Sequence, residues 1–85
     1  MEYQYLLASM NPQVNGNIDI IIARELLNNG KVIVVQAWNH ILVPSADLSS
    51  PLPCQWEGDT EITPLSWDQF PAEKQYILAK WAEIN

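Results

Sequence analysis

Residues 18–38, IDIIIARELLNNGKVIVVQAW, decide the fold, because a helical spacing in their first half is followed by a β-branched run in their second. Ile18, Ile22 and Leu26 recur every four residues with Ala23 and Leu27 beside them, while Arg24, Glu25 and Asn28 fall together elsewhere. This spacing predicts an amphipathic helix over 18–29, with Asn17 as its N-cap, Asp19 at the positive end of its dipole and Gly30 as the left-handed residue that ends it. The β-branched run Ile20 to Ile22 is the one argument for a strand. After Gly30, the run from Lys31 to Trp38 has four successive β-branched residues and reads as the central strand of a sheet, too apolar to leave either face wet. Asn39-His40 then suits a two-residue turn, with Ile41 to Val43 returning antiparallel as far as Pro44.

Before this stretch, the alternation in Glu2 to Leu7 predicts a strand with Tyr3, Tyr5 and Leu7 on one face, and Asn11-Pro12 and Asn15-Gly16-Asn17 mark a connection. After it, the proline- and serine-rich segment 44–53 reads as an irregular excursion. Residues 55–63 read as extended, with Glu57, Asp59 and Glu61 on one side and Trp56, Thr60 and Ile62 on the other. Ser66 to Gln69 forms a single capped turn. A terminal helix starts at Pro71 and carries Ile77, Trp81 and Ile84 on one stripe with Leu78 alongside. The expected fold is α+β: one domain over 1–85, a small two-layer sandwich in which two helices pack on an antiparallel or mixed sheet of three to four strands.

Composition narrows the function. The chain has 85 residues, is 48% apolar and carries ten acidic against four basic residues, a net charge of −6. The whole surplus lies in residues 32–73, which hold Asp47, Glu57, Asp59, Glu61, Asp68 and Glu73 and no lysine or arginine. Such a field repels nucleic-acid phosphates and anionic membranes, so neither is an expected direct partner. No leader-like or membrane-spanning apolar run is visible, and the expected setting is soluble and cytoplasmic.

The chemical inventory argues against an enzyme. His40 is the sole histidine and Cys54 the sole cysteine. Nothing in the sequence brings them together as base and nucleophile, and one cysteine excludes an internal disulfide or a cysteine-rich zinc site. Glu57, Asp59 and Glu61 lack calcium-loop spacing, and three glycines do not make a phosphate-binding loop. No cofactor, metal or catalytic residue is expected.

Four tryptophans are the remaining signal, with Trp38, Trp56 and Trp67 in or beside the acidic stretch. Trp81 reads as core. The expected function is an acidic protein-binding module, an inhibitor or regulator that docks an anionic, tryptophan-bearing face on a basic partner protein. The candidate contact residues are Trp56, Glu57, Asp59, Glu61, Asp68 and Asp47, with carboxylates steering and indole anchoring. A sharper variant is a nucleic-acid mimic, of the kind viruses aim at host defences, since same-face carboxylates on a strand recur every ~6.7 Å. The alternative is a structural subunit of a homo-oligomer, a dimer among them, or of a larger assembly, pairing through a sheet edge at Ile41 to Val43 or at the N-terminal strand.

Overall fold

A computed structural model of the chain describes residues 2–44 and 46–84, the side chain of Ile84 excepted. Three long strands, β1 (Glu2–Pro12), β2 (Ile18–Asn28) and β3 (Lys31–Leu42), form an antiparallel meander in the order β1-β2-β3. Two short strands, β4 (Leu52–Cys54) and β5 (Thr63–Leu65), make a separate antiparallel ribbon. One turn of 3₁₀ helix at Trp67–Gln69 and a single α-helix, α1 (Pro71–Ile84), complete the order. The molecule is elongated, 46 × 25 × 22 Å.

The expected pair of helices on a sheet is therefore corrected: residues 18–28 are the middle strand. Ile18, Ile20 and Ile22 alternate onto the core face and are almost fully enclosed, a period of two that the apolar Ile21 and Ala23 on the opposite face disguise. Asn29 (φ 53°) and Gly30 (φ 78°) do not cap a helix. They are the two positive-φ residues of a tight hairpin turn between Asn28 and Lys31, the geometry that matches the right-handed twist of paired strands.

Two further expectations change with it. Asn39 and His40 are not a turn; they pair with Ile21 and Ile20 inside β3. Continuing β3 to Leu42 sets that leucine opposite Ile18 and buries it, which a turn at 39–40 would prevent. Nor is β3 central. It lies at the margin of the sheet, and Val32 to Val35 are 45–59% exposed.

The core gathers on one face of the meander. Ile18, Ile20, Ile22 and Leu42 meet Leu48 and Leu52 from the irregular segment, Cys54, Trp56 and Leu65 around the ribbon, Trp67 and Phe70 of the 3₁₀ turn, and Ile77 and Trp81 of α1. Tyr5, Leu7 and Met10 of β1 pack against this cluster; of the three side chains expected on one face, Tyr5 and Leu7 reach it and Tyr3 stays half exposed. Helix α1 begins at Pro71 as expected. The Ser66 hydroxyl accepts from the Asp68 N–H at 3.1 Å, and the Trp81 indole N–H donates to the Gly16 carbonyl at 3.1 Å, which ties the helix to the β1–β2 loop. Ile84, expected on the same stripe, lies outside the described side chains.

Candidate partner-binding surface

The residues expected to form one anionic face do not form one. Trp56 is 1% exposed, its ring 6.2 Å from Tyr5 and covered by the Arg24 guanidinium at 4.9 Å, so it is a core residue and not an anchor held out to a partner. Trp67 is equally enclosed, in an edge-on contact with Phe70. Residues 55–62 are not extended. The Asp59 N–H donates to the Trp56 carbonyl at 3.0 Å and Gly58 takes φ 89°, which closes a turn and breaks the alternation that would have aligned Glu57, Asp59 and Glu61.

The carboxylates have separate occupations. Asp59 accepts from Arg24 Nη1 at 3.0 Å. Arg24 projects from the core face of β2, is 6% exposed, donates also to Gln36 Oε1 from Nε at 2.9 Å and from Nη2, and stacks on Tyr3 at 4.3 Å. The carboxylate, the amide and the two ring faces together satisfy a guanidinium this enclosed. Asp68 is exposed and lies 3.5 Å from Lys74 Nζ. Asp47 closes its own turn, accepting from the Ser49 hydroxyl at 2.6 Å, the Ser49 N–H at 2.9 Å and the Ser50 hydroxyl at 3.3 Å. Those bonds, the Ser49 hydroxyl foremost, hold its carboxyl below the usual range. Glu57 and Glu61 are exposed and have no ion pair among the described residues. The Gln36 Nε2 to Glu57 carbonyl bond, 3.2 Å, sets this acidic turn beside β3.

His40 and Cys54 are not a pair. His40 stacks on Trp38 at 4.7 Å, and burial pulls its imidazole below the ordinary value. Cys54 is fully enclosed in the core, where burial pushes the thiol up to about 11. Among the described residues no three His, Cys, Asp or Glu side chains gather as metal ligands, and no helix is long and apolar enough to cross a membrane.

The surface that stands out lies apart from the expected acidic contact residues and takes in Ile41 and Val43, of the sheet edge expected under the subunit alternative. It is the margin of the meander around β3, where Val32, Ile33, Val34, Val35, Ile41 and Val43 are each about half exposed. These side chains alternate between the two faces of the strand, so the apolar exposure runs along the margin of the sheet. From Val32 to Ala46 the chain has no charged residue apart from the titratable His40. Compared with protein-family models, curated proteins and solved structures, the chain finds no match in any of the three.

Proposed function

We propose that this chain is a protein-binding module, an assembly subunit whose sheet is completed by another polypeptide along β3. One observation carries the reading: a twelve-residue strand at the sheet margin, with half-exposed Val32 to Val35 and no partner on its outer side among the described residues. An edge of this kind offers a row of backbone donors and acceptors flanked by apolar side chains, which is what strand addition uses.

The second reading keeps the acidic regulator of a basic partner. It rests on Glu57 and Glu61, which are exposed, without ion pairs among the described residues and close to β3 through the Gln36 bond. Here they steer a basic protein toward the same margin, without a tryptophan anchor. The mimic variant loses its support, since the regular row of carboxylates it needs is broken by the turn at 56–59.

A photo-crosslinking side chain placed at Val35, in the cell that makes the protein, tests the module. Val14, fully exposed in the β1–β2 loop, is the control. A discrete product from position 35 and none from 14 is expected. No product from either position, or the same ladder from both, would remove the proposal.

A further inference from the structure

We infer that the polypeptide completing the sheet is a second copy of this chain, joined β3 to β3 about a twofold axis into one continuous six-stranded antiparallel sheet. The inference rests on the reading above and names its partner.

The two free edges of the meander are not equivalent. The β1 edge is interrupted by a register shift between Leu7 and Ser9, carries Glu2 and ends in Pro12, three devices that discourage pairing. On β3 the only irregularity lies opposite Leu26/Leu27, so Val34 to Ile41 run in unbroken register for eight residues without proline, lysine or carboxylate. It is the blunted edge that faces solvent alone in stable monomers; between Val34 and Ile41, β3 has none of those protections.

Charge then permits a like partner at this edge. Two chains of net charge −6 repel wherever their carboxylates meet, but a twofold pairing places each β3 residue against another β3 residue, and none of Val34 to Ile41 carries a carboxylate or a lysine; the acidic turn beside Gln36 sets carboxylates near the strand, and added salt should screen their repulsion and tighten the dimer. A basic foreign strand would find no acidic side chain on β3 itself. The side chains that such a pairing can cover, Val32 to Val35, Ile41 and Val43, make a small interface, so a weak dimer in the micromolar range is expected.

Sedimentation equilibrium of the purified chain, from about 1 to 200 μM, spans that range. The expected mass rises from 9.7 kDa toward twice that value. Val35→Lys, at a position 59% exposed, should weaken association about tenfold by adding a charge to an uncharged pairing edge of each copy, while Val14→Lys leaves it unchanged. Circular dichroism confirms that both variants fold. The geometry is read by single cysteines introduced from Val34 to Asn39, since enclosed Cys54 contributes no background. Under mild oxidation a twofold antiparallel pairing gives one sharp maximum of disulfide dimer along the strand.

A monomer across the whole range, or a flat cysteine scan, overturns the dimer. Crosslinking from position 35 to a protein of another mass would do the same while leaving the binding module intact. Failure of that crosslink together with a monomeric mass removes both.

Discussion

Arg24 and Asp59, 35 positions apart in sequence, meet at 3.0 Å between Nη1 and Oδ2 and fasten the turn at 56–59 onto the middle strand. The arginine is enclosed and the carboxylate 39% exposed, so solvent weakens the attraction from one side only. Asp59→Ala should cost about 1–2 kcal/mol, the lower part of the range for hydrogen bonds to charged groups, because Gln36 still accepts from the guanidinium. Arg24→Ala should cost more, about 2–4 kcal/mol, since the Tyr3 and Trp56 faces also lose their cover. Urea unfolding of both variants measures this. Equal losses would show that the rings contribute nothing.

The two enclosed indoles differ in one bond. Trp81 donates to Gly16, whereas the Trp56 N–H has no partner among the described residues. Replacing each by phenylalanine should therefore separate them by about 1 kcal/mol, with Trp81→Phe the more damaging. Alanine at either site should cost about 3–5 kcal/mol. The reverse order of the phenylalanine variants in thermal unfolding would contradict the arrangement.

At the β2–β3 turn, Gly30 sits at φ 78° with open space where a Cβ would stand. Gly30→Ala should lose about 1–2 kcal/mol from backbone conformation alone. Because no neighbour has to move, the cost should show as a lower urea midpoint with an unchanged slope.

Acid should weaken the fold in two stages. Burial lowers the imidazole of folded His40, so the unfolded chain takes up a proton first as pH falls below about 6.5, and stability declines from there toward the folded value. Asp47 is also lowered, by its serine bonds. Its contribution is intact above the ordinary carboxyl value and is lost as pH drops through the folded one. His40→Gln should flatten the first stage and leave the second; a slope between pH 7 and 5 that survives this change would assign it elsewhere.

How much of this was legible in the sequence depends on the range of each signal. The N-terminal strand with Tyr5 and Leu7 on one face, the Ser66 cap and the Pro71 helix start are set by neighbours within a few residues, and they read correctly. Residues 18–28 misled because a four-residue spacing is compatible with both periods, and Arg24 breaks the apolar alternation by sitting on the core face. Asn29-Gly30 held the answer: that pair between two β-branched runs specifies a hairpin more strongly than a helix end. The acidic residues were legible as charges but not as a site. Whether Asp59 is available depends on Arg24, and whether Trp56 is exposed depends on Tyr5, contacts that exist only after the chain has closed over long distances.

The uneven placement of the core along the meander also sets how the molecule comes apart. Ile18, Ile20, Ile22 and Leu42 clamp one end of the strands under the helix and the ribbon, while the end bearing Leu26, Val34 and the Asn29-Gly30 tip reaches past them. The sheet is a cantilever fixed at the β1–β2 loop. Thermal opening therefore begins at the free tip and travels inward, so amides near Val32 exchange with solvent first and those near Ile20 last. Bracing that tip would slow exchange along the beam without adding a single contact to the core.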